Sequence, residues 1–123
     1  MDYKPRFFSN AELQCHCGCG TIRMHEGFLK KLDQIREELG KPLVLTSAYR
    51  CPKHNLAVSS TGEYGPHTTG RAVDIAAAGR LKYQIVEAAK ARGMTRIGIG
   101  KNFIHIDALG RDEGFPDFVI WSY

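Results

Sequence analysis

The sequence of 123 residues has no apolar run after Met1 that reads as a secretory signal, and no stretch of membrane-spanning length. The expectation is a protein made in the cytoplasm, without a membrane partner, that works outside the cell only if something else releases it. There is no internal repeat and no low-complexity segment. There is also no block of basic residues. Lysine and arginine exceed aspartate and glutamate enough for a formal charge of +4 and a pI near 9.0, but they are scattered along the chain. Nor do basic and aromatic residues interleave as a single-strand groove requires. The surplus suits an anionic polymer, and nucleic acid is not the expected partner.

Disorder is excluded by composition, since 43% of residues are apolar and 24% charged. That length and apolar content fit one core, so residues 1–123 are expected to form a single domain and to act as a monomer. Four cysteines occur, Cys15, Cys17 and Cys19 in C-H-C-G-C and then Cys51, without the spacing of a paired CxxC metal site. Reduced thiols, a structural zinc using some of these thiols with or without His16, and a Cys19–Cys51 or Cys17–Cys51 link formed after release all stay open.

Along the chain, an extended arm leads to a short helix entry with Ser9 as cap and Glu12 three residues on, a capping-box spacing. Phe28, Leu29, Leu32, Ile35 and Leu39 recur at helical spacing over 26–39, with Gly40 placed as C-cap. A strand is expected over 41–49, then a long polar loop over 50–66 that is either mobile or part of a site. A strand over 71–77, a helix over 81–93, a hairpin of strands over 95–100 and 101–108, and a closing strand over 118–123 complete the order. The expected class is α+β, a small domain with an antiparallel or mixed sheet and helices packed on one face.

Two fragments carry chemistry: G-P-H-T-T-G-R-A-V-D-I-A, with His67 and Asp74, and N-F-I-H-I-D-A, with His105 and Asp107. Asp74 sits between Val73 and Ile75, and His105 between Ile104 and Ile106, so strand alternation points the carboxylate and the imidazole away from the apolar side. His67 reaches the same place from the preceding loop. A carboxylate among branched residues needs a partner or a metal. Two imidazoles and one carboxylate would leave an open position on zinc, the arrangement of a catalytic site.

Together with S-A-Y-R-C-P-K-H-N from Ser47 to Asn55 and the G-I-G that begins at Gly98, these fragments resemble the zinc D-Ala-D-Ala carboxypeptidase and L-alanyl-D-glutamate peptidase family. These are cell-wall peptidases that share a fold with the hedgehog signalling domain and include phage endolysins. The resemblance runs from about Phe8 to the C-terminal Trp-Ser-Tyr. It implies zinc as cofactor, held by His67, Asp74 and His105, and Arg50 as the group that binds substrate or stabilises the transition state, with Ser47 and Tyr49 shaping the pocket. It implies a peptidoglycan peptide as substrate; with no signal, a small size and no wall-binding domain, the expectation is a phage or prophage lysis protein or tail-associated enzyme that acts on the wall after release or delivery.

One departure concerns the general base. Several relatives carry an acidic residue three positions before the last histidine, where this chain has Asn102. Asp107 is the first substitute, although its place two residues after His105 also suits a carboxylate that orients a ligand. Glu63 and His54 are further candidates. Pro66 stands where many relatives have a small polar residue, and is expected to alter loop shape alone. The alternative to an enzyme is a catalytically silent, zinc-containing wall-binding module. A third reading, an interaction protein built on the cysteine cluster, would bind zinc at Cys15 to Cys19 and none at His67.

Overall fold

The computed structural model describes residues 3–123; Met1 and Asp2, the start of the expected arm, lie outside them. The rest of the arm is anchored by a buried carboxylate. Asp33 accepts from the Tyr3 hydroxyl and, at 2.8 Å, from the backbone N–H of Arg6. Helix α1 (Asn10–Leu13) opens with the expected capping box, Ser9 and Glu12 each satisfying the other's backbone N–H. Helix α2 spans Glu26–Leu39 and stops at Gly40, whose φ of 65° is the left-handed cap conformation.

Five strands, β1 (Leu45–Ser47), β2 (Ala72–Ala76), β3 (Arg96–Ile99), β4 (Phe103–Asp107) and β5 (Val119–Ser122), form one sheet in the order β1-β2-β4-β3-β5. Its neighbours are antiparallel except β3 and β5, which run parallel, so the sheet is mixed. β3 and β4 make the expected hairpin.

Two elements differ from the sequence reading. β1 is shorter than 41–49 because its flanks bond elsewhere: Tyr49 N–H donates to Leu13 O and the Ala48 carbonyl accepts from His67. The loop over 50–66 contains a helix, α3 (Pro52–Val58), and a 3-10 turn at Gly62–Tyr64. Pro52 is favoured at a first helical position, and Cys51 caps the end by accepting from His54 N–H. Its one buried residue is the polar Asn55, so no apolar stripe announces it.

Strand alternation gives the sheet two unlike faces. Val73, Ile75, Ile97, Ile104 and Ile106 pack with Phe28, Leu29, Leu32 and Ile35 of α2 and with Ile85, Ala88 and Ala89 of α4 (Arg80–Ala91) in one buried cluster. Each large side chain buried there contributes about 1.5–3 kcal/mol. That apolar face stabilises the sheet enough for the other face to carry buried polar groups. Across it lie Asp74 beside His105, His105 beside Gly98, Gly98 beside Trp121, and Asp107 between Ala72 and Arg96.

Candidate metal centre

The β2–β4 register makes Asp74 and His105 cross-strand partners, and puts Asp74 Oδ1 3.0 Å from His105 Nδ1. His67 arrives from a 3-10 turn, Pro66–Thr69, that ends at Gly70 with φ 75°. A left-handed glycine is needed there because a Cβ would lie 2.0 Å from the Arg23 carbonyl oxygen. The turn delivers His67 Nε2 to 3.3 Å from the same Asp74 oxygen. All three donor atoms lie within 4.8 Å of one another, and His67 and His105 are buried.

Each imidazole is oriented by the nitrogen that faces away. His67 Nδ1–H donates to the Ala48 carbonyl at 2.8 Å, leaving Nε2 toward the centre. His105 Nε2–H donates to Asp107 Oδ2 at 2.7 Å, leaving Nδ1 toward it. These tautomers follow from the acceptor each ring nitrogen meets. Asp107 is itself saturated: its oxygens accept from Arg96 Nε at 3.0 and 3.1 Å, and Oδ1 also from Leu109 N–H at 3.1 Å. A carboxylate–imidazole pair behind a donor nitrogen is the usual support of a metal ligand.

The charges fit the same picture. Burial pushes the Asp74 carboxyl up, but its contacts with the His105 and His67 rings outweigh it and hold the group well below the usual carboxylate range. Burial pulls His105 down, while its bonds to Asp107 and Asp74 raise it above the ordinary imidazole value. Both shifts favour positive charge between Asp74 and the imidazoles, which a divalent ion would supply.

The centre lies in a cleft of about 430 Å³ lined by Arg50, Val58 to Thr61, Pro66, His67, Asp74, Arg96, Phe103, His105, Trp121 and Tyr123. Arg50 follows β1, with one guanidinium nitrogen 3.7 Å from Asp74 Oδ2 and the other donating to Asn55 Oδ1 at 3.1 Å. Asn55, fully buried, also donates to Thr61 Oγ1 at 2.9 Å and so ties α3 to the following turn. β5 supplies an aromatic wall, with the Trp121 ring 5.3 Å from that of His105. Gly98 makes room for it, since a Cβ there would lie 2.7 Å from the indole.

Sequence reasoning missed Arg96, Asn55, Trp121 and Tyr123 as parts of this site. A charged residue opening the apolar run R-I-G-I, and the alternation that puts Trp121 and Tyr123 on one side of the last strand, were the available signals. Of the residues expected to act beside the metal, Arg50 lines the cleft. Ser47 and Tyr49 do not: Tyr49 is part of the apolar cluster, and Ser47 lies in β1 against Asp74. Asp107 lies behind His105, fully buried. Glu63 is exposed on its 3-10 turn, His54 faces the cysteines, and Asn102 is exposed at the hairpin; none lines the cleft.

A tetrahedral ion with bonds of about 2.0–2.1 Å spaces its donors by roughly 3.3–3.4 Å. The Asp74–His67 separation, 3.3 Å, matches that spacing and the Asp74–His105 separation, 3.0 Å, falls a few tenths of an ångström short of it, and two nitrogens with one carboxylate is a donor set zinc accepts. Residues 6–107 match the family model described as Peptidase M15. No curated protein matches the chain.

Proposed function

The chain belongs to the peptidase M15 family of zinc-dependent peptidases, and we propose that it hydrolyses peptide bonds in peptidoglycan stem peptides or cross-links, with His67, Asp74 and His105 as its zinc ligands. The observation that carries this reading is the convergence of the three donors, all within 4.8 Å of one another, on a cleft that also holds Arg50. The family match covers most of the chain, which supports reading it as one zinc peptidase domain over residues 1–123. Phage endolysins are among the peptidases it resembles, which supports a phage or prophage lysis enzyme or a tail-associated one.

Bound zinc would lower the pKa of water toward about 7 and polarise a carbonyl. The remaining work falls to the chain. Arg50, held by Asn55 and facing Asp74, presents its guanidinium to the cleft, where it pairs with a carboxylate of the stem peptide or with the oxyanion as charge develops. Trp121, Phe103 and Tyr123 present an aromatic wall that seats the substrate backbone. Asp107, bridged to Arg96, keeps the proton on His105 Nε2 and hence Nδ1 bare. This is a positioning role, and it favours the second of the two roles expected for Asp107 over that of general base.

A second reading is supported by one observation. Among the described residues, Asp74 is the only acidic side chain that lines the cleft, so no other Asp or Glu there is placed to take a proton from water. A catalytically silent wall-binding module would have this appearance. The deciding experiment incubates zinc-loaded protein with purified peptidoglycan and identifies released ends by mass spectrometry. New amine and carboxyl termini establish the peptidase and name the bond. Retention on the wall without new termini, at full zinc occupancy, establishes the binding module instead.

A further inference from the structure

The cysteines whose state the sequence leaves open come together. Cys15 and Cys17 Sγ are 3.4 Å apart, and each lies 3.7 Å from Cys51 Sγ. With Cys19, all four sulfurs fall within 4.8 Å of one another. A disulfide would draw one pair to about 2.0 Å and leave the others apart. Four sulfurs around zinc, with Zn–S bonds of about 2.3 Å, would instead be spaced by roughly 3.8 Å. The spacings among Cys15, Cys17 and Cys51 therefore resemble the edges of a coordination tetrahedron and not a set of covalent pairs.

The backbone is shaped for the same purpose. Cys15 N–H donates to the Thr21 carbonyl at 2.9 Å, closing the segment into a knuckle. Gly18 and Gly20 turn it with φ of 93° and 70°, values that side chains resist, so that alternate residues deliver sulfur to one point. Two backbone amides aim at the sulfurs: Cys51 N–H at Cys15 Sγ, 3.3 Å, and His54 N–H at Cys51 Sγ, 3.4 Å. Such donors stabilise thiolate charge. His16 is exposed and is not one of the converging groups. The recess over Cys17, Cys19 and Cys51 shares no lining residue with the peptidase cleft.

We propose that Cys15, Cys17, Cys19 and Cys51 form a second, structural zinc site that binds the 15–19 knuckle to the start of α3. Four sulfur donors close the coordination sphere, so this site holds no reacting water, and binding releases the thiol protons to solvent. Its position gives it a task. Cys51 follows Arg50 directly, and Arg50 is held by Asn55 of the helix that Cys51 caps. The second zinc would brace the segment that carries the cleft's arginine.

The test is metal content of the whole protein purified under reductant and reconstituted with zinc. Wild type is expected to hold two equivalents, and both a C17S/C19S double variant and His67→Ala to hold one. Cys17 and Cys19 are exposed, so their replacement removes ligands without opening the core. Cobalt(II) reports the ligand type: intense thiolate-to-metal charge-transfer absorption should be present in wild type and His67→Ala and lost in C17S/C19S. A single equivalent that vanishes in His67→Ala, with all four thiols reacting equally fast with and without zinc, would overturn the proposal. A single equivalent that survives in His67→Ala and vanishes in C17S/C19S would support it while overturning the ligand assignment in the cleft.

Discussion

Replacing Asp107 with asparagine separates two roles that a lone carboxylate beside a histidine can have. The wild-type carboxylate is fully buried and takes four contacts, two from Arg96 Nε, one from His105 Nε2–H and one from Leu109 N–H. Asparagine keeps one acceptor and turns an NH2 group toward the other donors, so His105 Nε2–H or Leu109 N–H loses its partner and Arg96 loses its counter-charge. Removing one member of a buried ion pair costs about 3–5 kcal/mol, a large part of the roughly 5–15 kcal/mol that holds a domain folded. For zinc, loss of the carboxylate behind a ligating imidazole is expected to weaken binding by about 10–100-fold, or about 1.4–2.7 kcal/mol. The assays are urea unfolding with and without EDTA, chelator competition for zinc, and turnover at saturating zinc. A positioning residue predicts a lower unfolding midpoint, weaker zinc and recovery of much of the turnover once zinc saturates. Unchanged zinc affinity with turnover lost at full occupancy would refute this and make Asp107 the base.

Three further outcomes test separate links. Arg50→Ala should lower kcat/KM by about 10²–10³-fold, the cost of one oxyanion donor, with zinc stoichiometry unchanged; an effect on KM alone would confine Arg50 to substrate binding. Gly70→Ala should destabilise by about 2–4 kcal/mol, from a left-handed backbone and a Cβ driven onto the Arg23 carbonyl, and a melting temperature within a degree of wild type would contradict that. Metal-free and zinc-loaded protein should differ in the sign of their pH dependence. Asp74 is lowered, so its contribution is present above about pH 4 and is lost as pH falls toward its folded value; His105 is raised, so its contribution is full below about pH 6.5 and is lost as pH rises through its folded value. Metal-free protein should therefore weaken on going from pH 6 to 8, whereas zinc-loaded protein should strengthen as protons cease to compete for His105. Parallel curves from urea midpoints would sink the assignment.

The local elements were legible because local chemistry decides them. The Ser9–Glu12 box, the apolar stripe of α2, the Gly40 stop, and the alternation that turns Asp74, His105 and Asp107 to one face all follow from residues a few positions apart. The donors of the cleft could also be named, since a carboxylate and an imidazole among branched residues of two strands demand a polar partner. The tertiary structure decided what depends on register and on elements distant in sequence. Only the β2–β4 register places Asp74 opposite His105, and only β3 beside β4 brings Arg96 to Asp107, which sets that carboxylate behind His105 and outside the cleft lining. Parallel pairing of β5 with β3 builds the aromatic wall, because Gly98 leaves a gap that Trp121 fills. The fourth cysteine joins the other three for the same reason: the hydrogen bond from Tyr49 to Leu13 lays the chain before α3 against the end of α1, a contact between segments 36 residues apart that no local spacing encodes.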